Sequence, residues 1–119
     1  MFDLSVEGYF SAAHQVKGYP GDCASIHGHT YRVRVVLKTE KLDNIGMAID
    51  FRHVKKTLEH ICAELDHKNL NDLAFFNEHN ATAEYVAMFI FNEMKKKINT
   101  VKAVTIWEGR SNSVTYYET

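Results

Sequence analysis

A chain of 119 residues with 45% hydrophobic and 12% aromatic residues carries enough apolar material for one globular domain, 1–119, and is not the composition of a disordered segment. The net charge of -1 supplies no general field for nucleic acid or an anionic membrane, and no run approaches the ~20 apolar residues that span a bilayer. The first ten residues hold no basic region followed by a long apolar run, so a soluble cytoplasmic protein is expected. The two cysteines, Cys23 and Cys62, do not make a disulfide framework.

From Phe2 to about Ala13 the pattern alternates: Phe2, Leu4, Val6, Phe10 and Ala12 share one parity and Asp3, Ser5, Glu7 and Ser11 the other, which predicts a half-buried strand. Gly18, Pro20, Gly21 and Asp22 mark a loop. A second strand is expected over His29 to Lys38, with Tyr31, Val33, Val35 and Leu37 on one face and Thr30, Arg32, Arg34 and Lys38 on the other. Asp43, Asn44 and Gly46 form a turn, and Asp50 is placed to cap a helix beginning at Phe51. Its apolar stripe is Phe51, Val54, Leu58, Ile61, Cys62 and Leu65, which makes Cys62 a buried small hydrophobe. The polar stretch from Asp66 to Asn80 reads as a loop. A second helix follows from about Thr82 to Ile98, buried through Val86, Ala87, Ile90, Phe91, Met94 and Ile98 and ended by Lys95 to Lys97. Strands near Val101–Glu108 and Ser113–Glu118 close the chain.

The order β, β, α, α, β, β fits an α+β fold: a four-stranded antiparallel sheet with two helices on one face. Such a sheet keeps open edges and one bare face, so a homo-oligomer is expected to cover them.

Three of the seven histidines crowd into positions 14 to 29. In Cys23-Ala24-Ser25-Ile26-His27-Gly28-His29, His27 and His29 are two apart and point the same way in an extended chain. Gly28 is expected to leave room there for a third ligand. His14 ends the core-facing row of the first strand, so pairing the two strands would gather three imidazoles. Three neutral histidines with one open position describe a catalytic zinc site rather than a closed structural one. Cys23 could ligate the ion, be inert, or act as a base whose pKa is lowered by the metal and a histidine. Asp66 and His67 are adjacent and reach each other only if the loop bends. They then form a carboxylate–imidazole pair able to relay protons, against the simpler reading of a polar surface loop. Glu108 ends the inward row of Val104 and Ile106, where a carboxylate is either a solvated strand end or a partner for paired N–H groups such as those of a pterin-like ring edge. Thr82 and Glu84 read as helix-start residues, and His53, His60 and His79 as surface or structural.

Phe10-Ser11-Ala12-Ala13-His14, Cys23-x-x-x-His27-Gly28-His29, Ile49-Asp50-Phe51, Leu65-Asp66-His67, the Asn80–Glu84 segment and Trp107-Glu108 occur in one order over nearly the whole chain. Together they resemble the 6-pyruvoyltetrahydropterin synthase superfamily, most of all its 6-carboxy-5,6,7,8-tetrahydropterin synthase branch. The resemblance implies a tunnelling fold whose β-barrel is completed by oligomerisation, usually a homohexamer of two trimers with active sites between subunits. It implies zinc on His14, His27 and His29, a catalytic network of Cys23, Asp66 and His67, and a pterin anchor at Glu108. The implied reaction converts 7,8-dihydroneopterin triphosphate to 6-carboxy-5,6,7,8-tetrahydropterin with loss of acetaldehyde and triphosphate, feeding 7-deazaguanine and queuosine synthesis. Ile26 stands where the pyruvoyl-forming branch usually has glycine, and Ala81 where a proline is often found, a change expected to touch no chemistry. The alternatives are a pyruvoyl-forming synthase and a non-catalytic zinc-binding assembly module.

Overall fold

Two-residue periodicity decides the first half of the structure. The computed structural model describes residues 1–21 and 25–119. Strands β1 (Phe2–His14) and β2 (His27–Thr39) pair antiparallel along their whole length, from Phe2 opposite Thr39 to His14 opposite His27. Val6, Phe10 and Ala12 of β1 and Tyr31, Val33, Val35 and Leu37 of β2 are buried on one face. On the other face Glu7 accepts hydrogen bonds from both Arg32 and Arg34, and Arg32 lies 4.3 Å over the Trp107 ring.

Helix α1 (Phe51–Leu65) starts where the Asp50 carboxylate accepts from the Arg52 N–H, and it buries Val54, Leu58, Ile61, Cys62 and Leu65 against β1. Burial pushes the Cys62 thiol up to about 12, the behaviour of a small hydrophobe rather than a reactive group. The chain then departs from the expected loop. Asp66 and His67 are tied to β1 at Ser11, and the two residues of β3 (Lys68–Asn69) run parallel to Ala12–Ala13. A single 3-10 turn (Leu70–Asp72) and the one-turn helix α2 (Phe75–Glu78) follow, burying Leu70 and Phe76. His79 caps α2, donating from Nδ1 to the Phe75 carbonyl at 3.1 Å and stacking on the Phe75 ring, a structural role as expected.

Helix α3 (Ala83–Lys97) starts at Thr82, whose hydroxyl accepts from the Tyr85 N–H, and packs on β4 (Val101–Glu108) and β5 (Asn112–Tyr117). The sheet order is β3-β1-β2-β4-β5. The four expected strands and the helices on one face are present, but the sheet is mixed and five-stranded. The fifth strand is two residues long, too short for any periodicity to announce. Among the described residues, β1 has no strand partner on its outer side from Phe2 to Ser11, and β5 has none beyond β4. Among the described residues no helix is long and apolar enough to cross a membrane.

Candidate metal and pterin site

The β1–β2 register builds the centre of the site. His14 lies opposite His27, and His29 lies opposite Ala12. Cross-strand partners share a face, so all three imidazoles stand on the face that buries Phe10 and Ala12, at the open end of the hairpin. Their ring centroids are 4.5, 5.0 and 4.9 Å apart, and one ring nitrogen from each falls within 4.8 Å of the others. Tetrahedral zinc with N ligands at ~2.0–2.1 Å needs nitrogens about 3.3 Å apart, a tightening within reach of small ring rotations.

Hydrogen bonds choose the nitrogen each ring offers. His14 Nδ1 is 2.6 Å from the Ala81 carbonyl, and His27 Nδ1 is 2.8 Å from the Ser25 carbonyl. A carbonyl only accepts, so each Nδ1 carries a proton, and in the neutral ring it is Nε2 that presents the lone pair. His14 is 2% exposed, and its Nε2 is buried with no protein partner. Burial, opposed by Glu108 and assisted by His14 and His27, lowers the His29 pKa and favours the neutral, ligating form. A buried nitrogen lone pair without a donor, two fixed tautomers and a neutral third ring fit a divalent zinc ion.

One expectation needs correction. Gly28 stands opposite Ala13, on the other face, and a Cβ there would meet only the Ala12 carbonyl at 3.6 Å, so it does not clear a path for a ligand. The Ala81 carbonyl holds His14, a contact that a proline in its place would supply equally. Neither carbonyl partner, Ser25 nor Ala81, has a signal in the sequence, because any residue type supplies a backbone oxygen.

Glu108 ends β4 opposite Tyr31. Its Oε2 is 3.4 Å from His14 Nε2 and 3.6 Å from His29 Nε2, so the carboxylate borders the cleft that the histidines line.

Asp66 and His67 meet each other by a left-handed turn. His67 has φ 58°, the one positive φ at a non-glycine residue among the described residues, and this brings its Nδ1 to 2.9 Å from Asp66 Oδ2. The other oxygen, Oδ1, accepts from the Ser11 N–H at 2.8 Å, while the His67 N–H donates to the Ser11 carbonyl. The Ser11 N–H first, then His67, hold the Asp66 pKa below the usual carboxylate value. The His67 side chain is 83% exposed. His67 and His29 border one open hollow of about 580 Å³ on the flank of β1 and β2, but Asp66 and His67 are not in the group of converging ligand atoms. Cys23 lies outside the described residues.

The family described as 6-pyruvoyl tetrahydropterin synthase matches residues 3–119. A Haemophilus influenzae protein named 6-carboxy-5,6,7,8-tetrahydropterin synthase is 28% identical over 99% of this chain and 100% of its own length. A Pyrococcus furiosus protein named dihydroneopterin monophosphate aldolase is 33% identical over 88% of each chain. The structure of Caenorhabditis elegans 6-pyruvoyl tetrahydropterin synthase is similar with a TM-score of 0.89 at 30% identity, covering 99% of this chain and 96% of the other. The likeness runs from β1 to β5 and takes in the hairpin end that gathers the histidines: this chain belongs to the 6-pyruvoyl tetrahydropterin synthase family.

Proposed function

We propose that the protein is a zinc-dependent lyase that converts 7,8-dihydroneopterin triphosphate and one water to 6-carboxy-5,6,7,8-tetrahydropterin, acetaldehyde and triphosphate, the carboxylated pterin being a precursor for 7-deazaguanine and queuosine synthesis. The observation that carries the reading is the convergence of His14, His27 and His29 around a buried, unpartnered Nε2. The Haemophilus influenzae relative, matched over its whole length, supports the carboxylate-forming branch.

In this reading His14, His27 and His29 hold the zinc, which as a Lewis acid favours ionisation of hydroxyl groups on a bound substrate side chain. Glu108 accepts from adjacent N–H groups on the pterin edge and so directs the side chain towards the histidines. The Cys23 thiolate takes a proton from the side-chain carbon next to the ring. His67, its Nδ1–H held by Asp66, moves protons through Nε2. Asp66 and His67 stand apart from the converging imidazoles, which favours a site shared between subunits. A homohexamer of two trimers would close the open edges of β1 and β5 into a barrel. Light scattering on the purified protein tests the assembly, and a monomer mass would remove it.

Product identification by mass tests the chemistry. Incubation with 7,8-dihydroneopterin triphosphate is expected to yield acetaldehyde and the carboxylated pterin. A pyruvoyl product alone would make the protein a 6-pyruvoyltetrahydropterin synthase. The name of the Pyrococcus furiosus relative favours one more arm, 7,8-dihydroneopterin monophosphate, and turnover confined to that ester would move the assignment there. Cys23→Ala is expected to abolish turnover while zinc content and assembly stay intact. Zinc lost along with the cysteine, or an unsubstituted protein with no turnover, points instead to a non-catalytic zinc-binding module.

A further inference from the structure

Among the described residues, two buried side-chain polar atoms lack a hydrogen-bond partner: His14 Nε2 and the Tyr31 hydroxyl. The first is accounted for by a metal ion. The second is not, and leaving a buried hydroxyl unpaired costs about 1–3 kcal/mol.

Tyr31 is 0% exposed and follows His29 by two residues in the same inward row. Its ring stacks on Phe10 at 4.7 Å and meets His14 and His29 edge-on at 5.9 and 5.5 Å. Packing on three sides fixes the ring plane, and with it the direction of the hydroxyl. Across the ladder its partner is Glu108. A phenol keeps its proton at neutral pH, so the Tyr31 hydroxyl is available as a donor.

His14 gives Glu108 no donor. His14 carries its proton on Nδ1, so its Nε2 and the Glu108 oxygen 3.4 Å away are both acceptors. A cation on the imidazoles would use that lone pair and still offer Glu108 no N–H. We propose that Tyr31 is a positioning residue whose buried hydroxyl donates to the Glu108 carboxylate and sets the direction in which that carboxylate meets a ligand in the histidine cleft. The identity of the ligand rests on the pterin reading above; the link between Tyr31 and Glu108 does not.

Tyr31→Phe removes one oxygen and keeps the stack on Phe10. In the zinc-loaded protein, zinc content and assembly are expected to stay unchanged. KM for dihydroneopterin triphosphate is expected to rise about tenfold with kcat within about threefold, the mark of lost binding rather than lost chemistry. Unfolding in urea, at one protein concentration, closes a cycle of Tyr31→Phe, Glu108→Ala and the double variant. Tyr31→Phe is expected to shift the unfolding equilibrium about tenfold with Glu108 present, or about 1.4 kcal/mol, and to shift it little with Ala at 108. An equal shift in both backgrounds overturns the proposal, because packing alone would act in either. Coupling in a protein that ignores pterins keeps the Tyr31–Glu108 link and discards the pterin reading. Turnover with no coupling does the reverse.

Discussion

His67 offers the sharpest test of whether strain in this chain is held for the sake of a side chain. At φ 58° an L-residue with a Cβ is strained by about 1–2 kcal/mol, which glycine avoids. Comparing His67→Gly with His67→Ala isolates that strain. Both variants lose the ion pair with Asp66, and both keep the backbone bond from the residue 67 N–H to the Ser11 carbonyl. Glycine gives back about 0.4–1 kcal/mol through the greater freedom of its unfolded chain. The difference left is about 1 kcal/mol in favour of His67→Gly, or a melting temperature about 4 °C higher for a chain of this size. Urea and thermal unfolding of the two zinc-loaded variants at one protein concentration measures it. Neither variant should turn over substrate, and both should retain zinc, because the imidazole ligands stand elsewhere. If His67→Gly proved no more stable than His67→Ala, the left-handed turn would carry no strain, and its tie to the imidazole would lose its basis.

His14→Ala should abolish zinc binding, and the melting temperature should then no longer fall when a chelator is added, as it should in the unsubstituted protein. Glu7 is held down to about 2, first by its hydrogen bond from Arg32 and then by Arg34. A lowered carboxylate stabilises above its unfolded value of 4.5 and ceases to do so as pH falls towards 2, so the advantage of the unsubstituted protein over Glu7→Gln should fade across that window. For a solvent-screened cluster the advantage should be about 1 kcal/mol, read from urea unfolding as a function of pH. Gly28→Ala should keep its zinc and cost under about 1 kcal/mol, because the added Cβ meets only ordinary contact with the Ala12 carbonyl; metal content and unfolding check it.

The sequence displays the parts of this site that follow from strand parity and hides those that follow from backbone geometry. His14, Ala12 and Phe10 share a parity, as do His27, His29 and Tyr31, and one hairpin register converts those two rows into a cluster. Glu108 follows from the same rule, two residues beyond buried Ile106. The same parity, applied two residues past His29, would also have flagged Tyr31 as a site residue; reading it as plain core overlooked its hydroxyl. The region after α1 was illegible for a different reason. The turn at His67 depends on a positive φ with no glycine to announce it and on hydrogen bonds to Ser11, fifty-five residues away along the chain from Asp66, and β3 depends on pairing with the similarly distant Ala12 and Ala13. Leu70 and Phe76 are spaced for no regular element, so their burial under a 3-10 turn and one turn of helix could not be told from a loop.

That division has a chemical consequence. The imidazoles sit on the longest ladder in the molecule, thirteen paired residues on each strand, with two of the three rings also pinned by carbonyls. A metal centre gains from this, since each ligand is oriented before the ion arrives and little conformational freedom remains to be lost. His67 has the opposite setting: an exposed ring, one carboxylate partner and a strained residue beneath it. That setting suits the proton relay proposed for it, which would need solvent access and a fixed Nδ1 more than rigidity. Substitutions on the ladder should therefore cost metal and stability together, whereas substitutions at residues 66 and 67 should cost turnover alone. One scaffold can then keep the histidine cluster while the groups around it change, which agrees with the different enzyme names carried by relatives that match this chain.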